Sequence, residues 1–286
     1  MGRLRVVTYN IHKGRSALMG RESLNGLRLG LHGLRPDLVF LQEVQGRNDD
    51  VSLLDAQHES LAAALRLQMA YGRNAVRRRT DHGNAFLSRY PIIGYENQDI
   101  SDHRLEQRGL LHATVDVEGV QVHCFVVHLG LFAGSRTRQS QALVERMRAY
   151  VPDDAPILVA GDFNDWGNKL TPMFVQDMGL SDVFAQAPRS HGGTLPRLRD
   201  AAMRLDSVLR GIPGKVQLDH RVNQLGMNGS LLMPRPPRTF PAMFPWFRLD
   251  RIYQRGFAVH SARVLRGSQW ARLSDHAPLV AELELS

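Results

Sequence analysis

Hydrophobic and polar positions follow two rhythms along this chain. Short apolar or β-branched runs at residues 4–8, 37–41, 85–87, 110–117, 120–127, 156–160, 249–253, 258–265 and 279–285 predict strands. Between them, residues 22–34, 53–67 and 136–150 place apolar side chains three or four apart with charges opposite, which predicts amphipathic helices. The mixture predicts an α/β or α+β sandwich. One stretch, residues 185–240, breaks the rhythm and is dominated by Gly, Pro, Arg and Met. Within it Leu195, Leu198, Ala202, Leu205, Leu209 and Ile212 recur at helical spacing with Arg197, Arg204 and Arg210 on the other side. That pattern suits a helix packed on the body or one lying against an anionic surface.

Composition narrows the picture. With 286 residues and 43% apolar content, the chain can bury a large core and reads as one domain, 1–286, carrying a basic insertion at about 185–237. The formal charge is +8, and residues 185–240 hold nine Lys or Arg against three Asp, so six of the eight excess charges lie there. Nucleic acid, anionic phospholipid and phosphorylated metabolites are the partners such a field attracts. Cys124 is the only cysteine, which excludes an intrachain disulfide and a multi-cysteine zinc site and fits a reducing compartment. Charges interrupt every hydrophobic run before the roughly 20 residues a membrane span needs, and a strand-like run follows Met1 almost at once. The expectation is a cytoplasmic monomer.

Several predicted strands stop at polar residues that solubility does not require. Residues 4–8 lead into Tyr9-Asn10-Ile11-His12, residues 37–41 into Gln42-Glu43, residues 122–127 into His128, and residues 156–160 into Gly161-Asp162-Phe163-Asn164. Asp275-His276 precedes the last strand. Asp162 and Asn164 are two apart and share a face if strand geometry persists. Singly, each has a structural explanation: Asn10 can cap a turn, His128 can be a bonded core histidine, and Asp250 can pair with Arg248 or Arg251. Together they offer carboxylates, amides and imidazoles at strand ends, a set suited to magnesium and a phosphate rather than to zinc. No G-x-S-x-G elbow, phosphate-binding G-x-x-x-x-G-K-[ST] loop, H-E-x-x-H helix or C-x-x-C pair occurs.

Six motifs in order resemble the endonuclease/exonuclease/phosphatase superfamily. They are Val7-Thr8-Tyr9-Asn10-Ile11; residues 37–44 with Gln42-Glu43; Gly83-Asn84-Ala85-Phe86-Leu87-Ser88-Arg89-Tyr90-Pro91-Ile92; Val127-His128-Leu129; Gly161-Asp162-Phe163-Asn164; and Ser274-Asp275-His276-Ala277-Pro278-Leu279. Leu249-Asp250-Arg251-Ile252-Tyr253 and Arg108-Gly109-Leu110 are similar to two further family segments. The resemblance implies an α+β, four-layer α/β/β/α sandwich of two packed mixed β-sheets with outer helices. It implies Glu43 as principal Mg2+ (or Mn2+) ligand with Asn10 and Asp275 close by, Asp162 orienting or activating water, and Asn164 holding a phosphate oxygen. His276, paired with Asp250, would act as general base or bind phosphate, and His128 would stabilise developing negative charge. Asn84 and Arg108, on the family-like segments, are expected substrate contacts, as is Trp246 on a proline-stiffened aromatic loop, residues 239–247. That loop reads either as a rim for bases or acyl chains or as core packing. The implied activity is hydrolysis of phosphodiesters in nucleic acid or phospholipid. Phosphomonoester hydrolysis on a sugar or inositol phosphate, and polyanion binding without catalysis, are the alternatives.

Overall fold

The computed structural model describes residues 2–16, 20–48, 56–103, 106–188 and 236–286. The chain divides into a large unit, Met1–Ala187 with Arg235–Ser286, and a second, Pro188–Pro234, which apart from Pro188 lies outside the described residues. The helix expected at 195–212 therefore also lies outside them.

The large unit contains two six-stranded sheets. The first runs β11 (Phe257–Val264), β12 (Leu279–Leu285), β1 (Leu4–Asn10), β2 (Leu38–Asn48), β4 (Thr80–Ser88), β3 (Gln68–Val76). The second runs β5 (Ile92–Asp99), β6 (Gly109–Val117), β7 (Val120–His128), β8 (Ile157–Asp162), β10 (Asp250–Arg255), β9 (Ser181–Asp182). Each sheet has one parallel pair, β1 with β2 and β7 with β8, joined across α1 (Leu24–Leu34) and α3 (Ala133–Tyr150). All other described pairings are antiparallel. α2 (Gln57–Leu65) and the single turns α4 (Val183–Gln186) and α5 (Ser268–Ala271) complete the helices that frame the site.

The period-two pattern of the strands creates three cores. Leu4 and Val6, Leu38 and Phe40, Cys124 and Val126, Leu158 and Ala160, and Ile252 meet between the sheets. Their alternates face outward: Val7, Tyr9, Val39 and Leu41 pack under Leu27 and Leu31 of α1 and Leu61 of α2. Phe125, Val127 and Val159 pack under Leu143, Val144 and Met147 of α3. This is the four-layer sandwich, and each fully buried Leu, Val or Phe stabilises it by about 1.5–3 kcal/mol.

Three strands were not predicted: β3, β5 and the two-residue β9. All lie at sheet edges. Ile92–Asp99 is mostly exposed and Gln68–Val76 carries Gly72, Arg73 and Asn74, so neither has the alternation a half-buried strand shows.

Candidate active site

Following each inward-facing row to one end of the sandwich, the residues turn from apolar to polar. In β1 the row Leu4, Val6 continues to Thr8 and Asn10; in β2 Leu38, Phe40 continues to Gln42; in β7 Cys124, Val126 continues to His128; in β8 Leu158, Ala160 continues to Asp162. β10 runs antiparallel to β8, so its first residue, Asp250, reaches the same end. Strand register places His128 opposite Asp162 and Asp162 opposite Asp250, and in the other sheet Asn10 opposite Gln42. Parallel strands collect their carboxyl ends here, as open α/β sheets do around a ligand site.

Backbone geometry at these ends departs from regular strand. Pairing of β2 with β4 shifts between Leu41 and Val44, and Glu43 sits in that bulge with φ +52°. His12, Lys13 and Asn164 also have positive φ, at +47°, +55° and +49°. Such conformations cost of order 1–3 kcal/mol and gather at functional sites. Gly161 has φ +150°, and a Cβ there would meet the Val127 carbonyl oxygen at 1.9 Å, so only glycine lets β8 lie this close to β7 just before Asp162. The shared face expected of Asp162 and Asn164 does not come from strand alternation, because β8 ends at Asp162. A turn supplies it instead, in which Asp162 Oδ1 accepts the Asn164 backbone N–H at 2.9 Å. The Asn164 side chain then donates to the Leu129 carbonyl at 2.9 Å.

Asp162 is the meeting point. Its Oδ2 accepts from Asn10 Nδ2 at 3.2 Å across the two sheets and lies 3.6 Å from both His128 Nε2 and His276 Nε2. His276 Nδ1 is 3.0 Å from Asp250 Oδ2. Asp250 thus pairs with the imidazole and not with Arg248 or Arg251. The buried Arg251 guanidinium donates to the backbone carbonyls of Arg248, Asp250 and Asp165, clamping the loops on either side of the site. Asn10 Nδ2 also approaches Glu43 Oε1 at 3.3 Å, and Lys13 Nζ lies 3.4 Å from Glu43 Oε2. Asp275 lies 3.9 Å from His12 Nδ1 and accepts from Ser274 Oγ at 3.3 Å, while Ser274 Oγ also donates to the Asn10 carbonyl at 2.7 Å.

Environment separates the charge states. Burial pulls the His276 imidazole down, but the carboxylates of Asp250, Asp162 and Asp275 outweigh it and raise its pKa to about 10. His128 is driven well below the usual histidine value by burial and by the Arg108 guanidinium, so it is neutral. Burial raises Asp162, and the Asp250 carboxylate adds to that against the opposing field of His276. Glu43 goes the other way: burial would raise it, yet the neighbouring His128, the Lys13 ammonium and the Asn10 hydrogen bond bring it to about 2. The site therefore holds one imidazolium and one neutral imidazole facing the same carboxylate oxygen.

Two groups of residues could hold a metal. Asp162, Asp250 and His276 bring ligand atoms within 4.8 Å of one another. Those three are deeply buried and already joined as a hydrogen-bonded carboxylate–imidazole pair. Glu43 and Asp275 form a second group: they keep 21% and 27% of their side-chain surface in solvent and both neighbour Asn10, Glu43 through the Asn10 amide and Asp275 through Ser274, so they offer carboxylate oxygens that water can reach. Magnesium keeps several of its waters and prefers oxygen, so the second group fits it better.

Arg108, Asn84 and Trp246, the remaining expected contacts, lie in three different environments. Arg108 pairs with Glu106 at 3.0 Å and lines a cavity with Glu43 and His128. Asn84 is wholly buried, donating to the carbonyls of Gly109 at 2.9 Å and Val126 at 3.3 Å, so its amide ties β4 to the opposite sheet. The aromatic loop reaches the site through Phe240, whose ring lies 4.9 Å from that of His276, and through the Ala242 N–H, which donates to the Asp275 carbonyl at 2.6 Å. Core packing does not describe the rest of the loop: Phe244 and Trp246 are 70% and 69% exposed, and Phe247 lies against the exposed Trp166. Sequence reasoning missed Lys13, Ser274 as a tie to Asn10, and the Arg251 clamp. Ser274 and Arg251 stood inside quoted segments, and Lys13 did not.

Comparison with known proteins agrees with this geometry. The chain is 37% identical to the uncharacterized protein YbhP of Escherichia coli K12, over 98% of this chain and 96% of that protein. A solved endonuclease/exonuclease/phosphatase from Beutenbergia cavernae superposes with a TM-score of 0.70 at 22% identity, covering 99% of this chain and 72% of its own. A second, from Bacteroides vulgatus, gives 0.69 at 16% identity with both chains fully covered. The family model for these proteins matches residues 7–276, which includes every strand end that meets at Asp162. By that match over nearly its whole length, the chain belongs to the endonuclease/exonuclease/phosphatase family of phosphoester hydrolases.

Proposed function

We propose that this protein is a magnesium-dependent phosphodiesterase that hydrolyses its substrate by in-line attack of water. The observation that carries this reading is the convergence on Asp162 Oδ2 of Asn10, His128 and His276, with Asp250 behind His276. Asp162, an acceptor buried among donors, orients the attacking water and takes its proton. His276, oriented by Asp250 at Nδ1 so that its Nε2–H faces inward, presents positive charge to a phosphate oxygen. His128, neutral, offers an N–H to the charge that grows on the same phosphate. Asn164, whose amide is held by the Leu129 carbonyl, would offer its second N–H to a phosphate oxygen. Glu43, Asp275 and Asn10 would hold the ion, which when bound polarises the phosphate and stabilises a departing oxygen. Nothing in this set is a nucleophile poised for a covalent intermediate, so direct attack by water fits it best.

Phosphomonoesters remain the second reading, because the same donors serve either ester. The exposed Phe244 and Trp246, on the loop whose Phe240 packs against His276, favour a substrate with a flat or apolar group next to its phosphate, such as a base or an acyl chain. The test is hydrolysis of a panel with Mg2+ or Mn2+: plasmid, abasic duplex, bis-p-nitrophenyl phosphate, sugar and inositol phosphates, and phospholipid vesicles. Metal-dependent cleavage of a diester, faster than release from any monoester, is expected. Faster monoester release would move the assignment to a phosphatase, and inertness toward all of them would remove it.

A further inference from the structure

Two adjoining cavities continue the site away from Asp162. The first, about 180 Å3, has Glu43 and His128 on its wall and Lys13, His82 and Arg108 around it. The second, about 200 Å3, shares Lys13 and His82 and adds Arg15 and Arg77. Each has room for a phosphate and several waters, which take about 30 Å3 apiece. Among the described residues that line them, four permanent cations thus face two carboxylates. One is Glu43, paired with Lys13; the other is Asp81, which accepts the Tyr71 hydroxyl at 2.7 Å. Arg15 and Arg77 form no ion pair among the described residues, and both are exposed. The field of this groove reaches His82, whose imidazole is pushed down by burial and by Lys13, Arg77 and Arg108.

The cations stand on fixed backbone. His12, Lys13 and Gly14 form a left-handed turn, with Gly14 at φ +64°. Gln57 locks it, donating to the Lys13 carbonyl at 2.8 Å while accepting the Gln45 N–H of β2 at 2.9 Å. A Cβ on Gly14 would come within 2.5 Å of Gln57 Nε2, so the lock requires glycine there. Arg15 follows at once and is held by a bridge to Glu22. Arg77 sits at the tip of the β3–β4 hairpin, where its N–H donates to the Thr80 carbonyl at 2.8 Å.

We propose that these cavities are a second phosphate subsite, which takes a phosphate group of the substrate other than the one being cut. The inference deepens the reading of the site as a phosphate-ester hydrolase and rests on it. The shared chemistry is a substrate with at least two phosphates, as on a nucleic-acid strand or a multiply phosphorylated inositol.

The test compares matched probes on the whole protein: a nucleoside p-nitrophenyl phosphodiester with and without an extra phosphate on its sugar, and glycerophosphoinositol with and without a ring phosphate. In the wild type the extra phosphate should lower KM about tenfold in one pair or both, the size of one or two charge-assisted hydrogen bonds. Whichever pair shows the gain identifies the source. The gain should vanish in the Arg15→Gln/Arg77→Gln double variant and persist in Arg15→Lys/Arg77→Lys, with unchanged melting confirming that both fold. Equal KM within both pairs, or a gain untouched by the Gln variant, would overturn the subsite. If no probe is cleaved, calorimetry of a nucleoside bisphosphate and of an inositol bisphosphate decides instead. Weaker binding of either to the Gln variant than to wild type supports the subsite, and equal binding of both overturns it.

Discussion

Glu43 shows how much a single residue is asked to do. It occupies a left-handed conformation in a bulge, receives Asn10 on one oxygen and Lys13 on the other, and stays ionised through any physiological pH. A non-glycine residue held there at a cost is kept for its carboxylate, not for stability. Replacing it by Gln preserves shape and removes charge, so Glu43→Gln should reduce metal-dependent turnover to background while melting within a few degrees of wild type. A hydrolysis assay across Mg2+ concentrations and a thermal melt check both halves; full activity would remove Glu43 from the metal site. The chemistry of this residue was legible because Gln42-Glu43 stands in a specific motif. Lys13 was not, since its position depends on three successive left-handed residues for which Gly14 is the sole sequence clue.

At the scale of elements, pairs of side chains fix how helices sit on sheets. α3 packs on the second sheet through Val144 and Met147, but also through Arg146, whose Nη2 meets Glu96 of β5 at 2.6 Å and whose Nε meets His112 Nδ1 of β6 at 3.4 Å. An arginine only donates, so His112 Nδ1 accepts and its Nε2–H donates to His123 Nδ1 of β7 at 3.0 Å. Burial first, then the neighbouring His123 and Arg146, push His112 down to about 3, and burial and Arg255 lower His123. With folded values below the unfolded value of about 6.5, the unfolded chain binds more protons in between. Stability from this pair is therefore complete above that value and lost as pH falls toward 3. Each histidine should cost about tenfold in the folding constant per pH unit over its part of that window. Urea unfolding at several pH values, wild type against His112→Gln, measures it: the wild type should lose stability more steeply, and parallel curves would contradict the pairing. None of this was readable in advance, because His112 and His123 sit in runs that look like ordinary strand. The edge strands escaped notice for the opposite reason, having too little core-facing surface to leave a pattern.

For the whole molecule, the described residues form two six-stranded sheets and three large cores. No described helix is long and apolar enough to cross a membrane. Exchanging 189–235 for a flexible Gly/Ser linker should thus leave a folded protein with its melting temperature little changed and its hydrolysis of bis-p-nitrophenyl phosphate intact. An insoluble or molten product would show that the segment belongs to the core. The same exchange removes most of the excess positive charge, so binding to polyanions should weaken and lose salt dependence. Layer count, central strands and helices were legible because the interior imposes period two on strands and a turn-based period on helices. The site was legible where motifs mark strand ends, and illegible where it depends on turns, bulges and the meeting of distant loops.

Asp162, the polar end of an apolar row, links these scales, and in the proposed mechanism it activates water between one imidazolium and one neutral imidazole. The most direct test is the rate of bis-p-nitrophenyl phosphate hydrolysis by Asp162→Asn, with Mg2+ saturating and melting measured in parallel. The expected result is a fall in kcat of about 10²- to 10⁴-fold in a protein that stays folded, the range for losing a general base. A folded Asp162→Asn variant with wild-type kcat would contradict the assignment of this residue and the mechanism built around it.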